Sequence, residues 1–234
     1  MAVAARRAPR QDRSRDTLNR LLEAGKAVAA ERGFEGVVLA EVLTRARTSV
    51  GSFYARFASR EAFLEAVCLR VADERAAEID RFFDPVAWQG VDAAAIVATL
   101  VTNTVRWHRK GRTLLGAVLG YTRQQGARGP LQQAREALNR QIADRITTLL
   151  LAQRTTIDHP NPERAVRFAL HLLWHTVREH IVFAEQLDGR PAPSDEDLAE
   201  ELTLTLTRYL GIVPGHRRGA VRLRPGRRSQ RSKR

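Results

Sequence analysis

Two short apolar stripes between Leu39 and Glu61 constrain the fold of this chain more than any other feature. The segment Arg47-Thr48-Ser49 separates them, and the Ser49 hydroxyl is suited to cap the second helix. Two short helices joined by a tight turn form a helix-turn-helix, whose second helix fits a DNA major groove. The stretch therefore predicts a DNA-binding head. Each stripe has the spacing of one helix face, and the members are Leu39, Val42, Leu43 and Ala46, then Val50, Phe53, Tyr54 and Phe57.

The composition is ordinary for a globular protein, with 44% apolar and 28% charged residues in a chain of 234. The single cysteine, Cys68, excludes an internal disulfide and suits a reducing compartment. No apolar leader follows Met1, and every apolar run is interrupted before the ~18 residues that a membrane span needs. We therefore expect a soluble, cytoplasmic protein that does not enter the membrane.

The net charge of +13 is concentrated at the two ends of the chain. Residues 1–60 contribute +6, residues 61–213 contribute −2, and residues 214–234 contribute +9. A neutral body beside a basic head favours a head that binds a polyanion. For the tail, an aid to solubility and a nonspecific affinity for phosphate remain equally open.

Helical patterns separated by Gly, Pro, Asn and Asp fill the rest of the chain, and no strand period or repeat is present. The predicted fold class is all-α: a three-helix head joined by a linking helix to a helical ligand-binding and dimerisation body. The predicted domains are a flexible basic arm (1–15), the head (16–62), the body (63–213) and a disordered basic tail (214–234). The further helices are predicted at 16–32, from Ser59 into the body, and at 92–110, 112–125, 131–156, 163–187 and 195–210.

Two of these segments carry more specific expectations. The helix at 163–187 is apolar on most of its circumference, which predicts burial on nearly all sides. The arm could reach phosphates or a minor groove, although an idle arm is at least as plausible. Its arginines are Arg6, Arg7, Arg10, Arg13 and Arg15.

The head closely resembles that of the TetR family of transcriptional regulators. The matching residues are Gly33-Phe34, Val50-Gly51-Ser52-Phe53-Tyr54, Phe57 and Ser59-Arg60-Glu61. Three positions depart from the family pattern: Arg47 replaces the turn glycine, Thr48 replaces a valine, and Leu39 replaces a hydroxyl residue. Arg47 is expected to adopt the backbone conformation that the glycine normally supplies, or the turn is reshaped.

The resemblance implies a homodimeric repressor that reads a palindromic operator and is released by a small, mostly apolar ligand. It places Ser49, Gly51, Ser52 and Tyr54 on or at the recognition helix. It also implies that Tyr54 and Arg60 contact phosphate and that Gly51 lets the backbone approach DNA closely. The basic and polar pattern adds Arg45, Arg47, Thr48 and Arg56 to the predicted DNA-binding residues.

The body is expected to hold the ligand between the linking helix and the three helices after it. Aromatic and apolar side chains suit an amphipathic ligand, although for any one of them packing in a dry core is the preferred interpretation. The predicted ligand-binding residues are Phe83, Trp107, His108, Leu115, Leu119, Tyr121, Phe168 and Trp174. The last two helices form the family's usual dimer interface, and the predicted interface residues are Phe168, Leu172, His175, Leu198, Leu202 and Leu206.

Other chemistry receives less support from the sequence. His171 and His175 have the spacing of two metal ligands, but no HExxH glutamate or cysteine cluster accompanies them. Histidines hydrogen-bonded at a dimer interface or pocket wall are the preferred interpretation, and no metal or cofactor is expected. Cys68 has no activating base nearby in sequence, which favours a buried structural thiol. No phosphate loop, nucleophile elbow or carboxylate pair is present, so an enzyme is not expected.

Two alternatives stay open at this point. One is an architectural or nonspecific DNA-binding protein whose basic tail dominates. The other is a helical small-molecule-binding protein with a weak DNA-reading head. Loss of the tail separates the first alternative from a sequence-specific reader, and loss of the Tyr54 side chain separates the second.

Overall fold

The structure is a computed structural model that describes residues 10–124, 130–183 and 192–212. Helices account for nearly all of this part of the chain, and the described residues contain no β-strand, so the predicted all-α class is confirmed. The helices are α1 (Arg10–Arg32), α2 (Leu39–Ala46), α3 (Val50–Tyr54), α4 (Arg60–Phe82), α5 (Ala93–Lys110), α6 (Arg112–Gln124), α7 (Pro130–Leu151), α8 (Pro162–Arg178) and α9 (Asp195–Tyr209). Two 3-10 turns, Pro85–Trp88 and Arg154–Thr156, and a π-helical turn that continues α8, Glu179–Phe183, complete the set.

The apolar side chains form two separate cores. The head core packs α1, α2 and α3 against the first half of α4, and Leu131 of α7 adds to it. The body core packs α5 against α8 and α9, with the second half of α7 closing one side. Each core alone is small, so elements that belong to both cores decide how the two halves are joined.

Helix α4 belongs to both cores. Ser59 caps its first turn by accepting a hydrogen bond from the Ala62 amide at 3.1 Å. Phe63 and Val67 are buried in the head core, whereas Phe82, at the other end of the helix, packs against the body core. The predicted linking helix is therefore present, and it is a rigid connection because it is one uninterrupted helix of 23 residues.

Helix α6 is a second connection, which the sequence did not reveal. The Tyr121 ring stacks on Phe34 of the head with 5.0 Å between ring centroids. The Gln124 side chain donates to the Glu35 carboxylate at 2.6 Å. The head is thus held by α6 as well as by α4.

Several predicted boundaries need correction. Helix α1 begins at Arg10, so Arg10, Arg13 and Arg15 are helical and the predicted arm ends earlier than residue 15. Arg6, Arg7 and the tail at 214–234 lie outside the described residues. Helix α7 ends at Leu151, before the predicted Thr156.

Helix α8 is not buried on nearly all sides. Its buried residues form one stripe that includes Val166, Leu170 and Leu173, while Phe168 is 51% exposed on the opposite side. The apolar composition of α8 did not reveal which of its apolar side chains are buried and which remain on the surface.

None of the helices in the described part has an apolar stretch long enough to cross a membrane.

Candidate nucleic-acid interface and ligand cavity

The turn between α2 and α3 keeps its shape without the family's glycine. Arg47 lies in the left-handed region, with φ 50° and ψ 53°, and it is the only non-glycine residue with positive φ in the described chain. The Thr48 amide donates to the Leu43 carbonyl at 3.1 Å, and the Arg47 amide donates to the Thr44 carbonyl at 3.2 Å. This pair of bonds is the Schellman arrangement that ends a helix. The predicted conformation of Arg47 is therefore confirmed.

Replacing Arg47 by glycine is expected to separate stability from DNA affinity. Glycine adopts positive φ without the Cβ clash, so the Arg47→Gly chain should gain about 1 kcal/mol in free energy of unfolding, measured by urea denaturation. The Arg47 side chain has no hydrogen-bond or ion-pair partner in the described structure, and it is exposed. Losing its charge should weaken DNA binding and reduce the salt dependence by about one counterion per head.

Gly33 provides the matched control. It ends α1 at φ 73°, and a Cβ placed there meets no atom within 4 Å. Gly33→Ala should therefore lose about 1 kcal/mol for backbone reasons alone. A destabilised Arg47→Gly chain beside a destabilised Gly33→Ala chain would show that the arginine side chain stabilises the turn.

Helix α3 presents one face to solvent. Ser49 caps it by accepting from the Ser52 amide at 3.2 Å, as predicted. Phe53 is fully buried, whereas Val50 and Tyr54 are 53% and 56% exposed. The predicted stripe was therefore wrong for these two residues. Helix α3 has only five residues, and Phe53 is its buried residue. The remaining surface of the helix is therefore accessible to a partner such as DNA.

The exposed face of α3 has room for close approach. A Cβ built on Gly51 would have only the Ser49 hydroxyl near it, at 4.0 Å, so the backbone here is open to a partner. Tyr54 and Arg47 project from the same helix-turn-helix unit and are exposed, while Thr48 and Ser52 are half-buried. Val50, which its apolar character assigned to the core, is also exposed beside them.

Three of the predicted DNA-binding arginines are bound within the protein. Arg45 forms a two-pronged ion pair with Glu31, at 2.7 and 2.6 Å, and also contacts Glu41 at 2.7 Å. Glu31 and Glu41 raise the pKa of Arg45, and Arg45 lowers the pKa of Glu31. This network ties α2 to the end of α1, and a DNA role for Arg45 stays a prediction.

Arg56 and Arg60 have similar internal partners. Arg56 donates to the Ser52 carbonyl at 2.6 Å and to the Ser14 hydroxyl at 3.1 Å, which joins α3 to the start of α1. Arg60 donates to the carbonyls of Phe34 at 2.9 Å and Val37 at 3.1 Å, so it holds the segment between α1 and α2. Contacts of Arg56 and Arg60 with phosphate remain predictions.

The body contains a cavity of about 430 Å³ between α4, α5, α6, α7 and α8. Pockets that hold drug-sized ligands span roughly this volume. Six of the eight predicted ligand-binding residues line it: Phe83, Trp107, His108, Leu115, Leu119 and Trp174. The other two do not. Tyr121 packs on the head, as described above, and Phe168 lies on the outer surface near Tyr209, with 5.5 Å between ring centroids.

The cavity wall includes two groups with shifted pKa values. Cys68 is buried there, and burial raises the pKa of its thiol to about 12, so the thiol stays protonated and the predicted structural role fits. His108 is also buried, and its Nδ1–H donates to the Thr104 carbonyl at 2.8 Å. Burial lowers the pKa of His108, the hydrogen bond to Thr104 opposes this, and the charges of Arg75 and Arg178 lower it further.

The lowered pKa of His108 predicts a loss of stability on acidification. The unfolded chain binds a proton near the ordinary value of 6.5, and the folded chain does so only at lower pH. The stabilisation by neutral His108 is complete above that value and is lost as the pH falls below it. The free energy of unfolding should fall less steeply below pH 6.5 in a His108→Gln chain. Equal slopes in the two chains would contradict the prediction.

The predicted dimer residues divide into two groups. Leu198, Leu202 and Leu206 are buried in the body core of the same chain, where α9 packs on α5, so this part of the prediction was wrong. Phe168 and His175 are exposed, and Leu172 is half-buried. The leucine stripe of α9 showed that one face is buried but not which helix covers it.

The two histidines of α8 lie together without forming a metal cluster. The His171 and His175 rings are 3.9 Å apart between centroids, and His175 donates from Nδ1 to the His171 carbonyl at 2.9 Å. Within the described residues, no group of three or more metal-ligating side chains is present. His175 also lines the cavity, which fits the predicted pocket wall, and a place at a dimer interface stays a prediction.

A helix-turn-helix head, a rigid helix that joins it to a helical body, and a cavity inside that body define the architecture of a DNA-binding transcriptional regulator. Comparison with known proteins agrees with this class. Residues 21–67 match the model of the bacterial regulatory proteins of the tetR family. The match covers α2, α3, the second half of α1 and the start of α4, so the DNA-binding head of this chain is similar to the heads of that family.

Solved structures extend the likeness to the whole fold. A tetR-family bacterial regulatory protein from Rhodococcus RHA1 is 15% identical, with a TM-score of 0.59 over 85% of this chain and 98% of that chain. Reduced NemR of E. coli is 17% identical, with a TM-score of 0.58 over 84% and 98%. RolR in complex with resorcinol is 23% identical, with a TM-score of 0.53 over 87% and 91%. At these identities the likeness establishes the fold. No curated protein matches the chain.

Proposed function

We propose that this protein is a homodimeric repressor that binds a palindromic operator and releases it when a small ligand fills the body cavity. The observation that carries the proposal is that α4 and α6 each form part of the head core and part of the cavity wall. A ligand that moves either helix therefore moves the surface that supports α3. The coupling needs no further element between the two sites.

The two helices contact the head at different places. From α4, Phe63 packs on Phe53 of the recognition helix, with 5.2 Å between ring centroids. From α6, Tyr121 packs on Phe34 beside the carbonyls that Arg60 holds. On the cavity side, α4 contributes Phe82 and neighbouring residues, and α6 contributes Leu119. A shift of α4 thus reaches α3 through one aromatic contact.

Dimerisation would set the distance between two heads, as a palindrome requires. The surface of α8 and α9 supports this proposal because it leaves apolar side chains open: Phe168 is 51% exposed and Leu204 is 43% exposed. Regulators of the tetR family typically dimerise and bind both DNA and small molecules. RolR is known in a complex with resorcinol, which is a small aromatic ligand of the kind that this cavity could hold.

Operator release by a cavity ligand is the test of this proposal. Purified protein should bind a selected palindrome as a dimer, and a compound that quenches the fluorescence of Trp107 and Trp174 should release it. A chain that lacks residues 214–234 should keep its sequence preference. A uniform collapse of affinity in that shortened chain would favour the alternative of nonspecific binding through the basic tail.

A further inference from the structure

The body cavity combines apolar walls with an excess of positive charge. Half-buried arginines reach it from three helices: Arg75 from α4, Arg135 from α7 and Arg178 from α8. Glu78 is the one acidic side chain in its lining, and it is exposed. Partial burial of each guanidinium group costs free energy, and a neutral apolar ligand would not offset that cost.

Arg75 has partners that account for its position. Its guanidinium lies 3.9 Å from the centre of the Trp107 ring, and it forms an ion pair with Glu78 at 3.4 Å. Burial lowers its pKa, and Glu78 opposes that shift. Arg75 therefore serves the wall itself, because its charge is already compensated.

Arg178 has no comparable ion-pair or ring partner in the described structure. Its Nε atom is buried and has no hydrogen-bond partner in the described structure. Burial lowers the pKa of Arg178, and the charges of Arg135 and Arg123 lower it further. Glu179 raises it, but its effect is the smallest of these. The guanidinium nevertheless stays charged at neutral pH. No described acceptor lies within hydrogen-bond distance of this Nε, and a half-buried guanidinium with an unpartnered N–H is the strongest demand for an anion that the cavity presents.

The backbone beside Arg178 is unusual as well. Helix α8 ends at this residue and continues as the π-helical turn Glu179–Phe183, a form of helix that is rare and concentrated at functional sites. Val182 of that turn packs against Gly116 of α6, where an added Cβ would lie 3.4 Å from it. Arg178 therefore stands where the cavity, α6 and the irregular end of α8 meet.

We infer that the cavity ligand is an organic anion, with an apolar body against Trp107 and Trp174 and one carboxylate on the Arg178 guanidinium. A carboxylate supplies the acceptor that Nε lacks and forms the planar pair that arginine favours. The neighbouring charge of Arg135 adds to the attraction. The inference rests on the proposed function, because it names the chemistry of the ligand that would act on α4 and α6.

Matched probes test the charge preference directly. Decanoate, decanol and decylamine share one apolar body, and naphthoate, naphthol and naphthylamine share another. Binding to the full-length protein is followed by quenching of tryptophan fluorescence and by thermal shift. In at least one series the carboxylate should bind about tenfold or more tightly than its neutral and cationic counterparts.

Variants of Arg178 assign that preference to the residue. Arg178→Met should remove the preference, Arg178→Lys should keep part of it, and the control Arg167→Gln, at an exposed site on the same helix, should leave it unchanged. Without ligand, Arg178→Met should melt no lower than the wild type, because it removes a half-buried cation whose Nε has no hydrogen-bond partner in the described structure. This last measurement does not depend on the choice of probe.

The inference is overturned if neither carboxylate binds, if the neutral or cationic members bind as tightly, or if ligand-free Arg178→Met melts clearly lower than the wild type. Operator binding by the ligand-free protein is measured in parallel. Retained operator binding with no preference for anions rejects this inference alone, whereas absent operator binding rejects the proposed function.

Discussion

A Phe53→Ala chain should lose roughly 3–5 kcal/mol in free energy of unfolding, because the substitution removes the central side chain of the head core. Phe53 is 0% exposed, and its ring lies 5.2 Å from those of both Phe57 and Phe63. The small head has little other apolar surface with which to replace these contacts. The loss should appear in urea denaturation followed by circular dichroism.

Tyr54→Ala is the matched control for this effect. Tyr54 is the next residue of the same helix, but it is 56% exposed, so its removal should change stability by less than about 0.5 kcal/mol. If Phe53→Ala and Tyr54→Ala lowered the free energy of unfolding equally, α3 would not have one buried face and one exposed face.

DNA binding should respond in a different way to the same two positions. Tyr54→Ala should weaken operator binding by about 100-fold or more, because each head of a dimer would lose a hydrogen bond to a charged phosphate. The protein itself should remain folded. Fluorescence anisotropy with a labelled operator measures the loss.

Tyr54→Phe isolates the hydroxyl group in this experiment. It should account for most of the loss if the hydroxyl donates to phosphate, and for little if the ring packs against a sugar or base. An operator affinity that is unchanged in both variants would remove Tyr54 from the interface and would favour a body with a weak DNA-reading head.

The features predicted correctly from the sequence are those that local interactions determine. Ser49 and Ser59 each cap a helix by accepting from an amide three residues later, so the sequence alone contains both partners. The left-handed conformation of Arg47 followed from its position at the end of α2 in the same way. Local signals of this kind were sufficient to predict where the head and the linking helix lie along the chain.

The errors concern partners distant in sequence. The α9 leucines were assigned to a second chain, yet they pack on α5 of their own. Tyr121 was assigned to the cavity, yet it packs on Phe34, which lies 87 positions earlier in the chain. The pairing of Arg45 with Glu31 and of Arg60 with backbone carbonyls likewise required the folded arrangement. Periodicity predicts that a face is buried, but it does not identify what covers the face.

Selection of bound sequences from random double-stranded DNA tests the central claim most directly. The account predicts one enriched motif with two-fold symmetry, selected equally by the full chain and by the chain that ends at residue 213, and not selected by Tyr54→Ala. Enrichment of no motif, or of one that disappears with the tail and survives Tyr54→Ala, would contradict it.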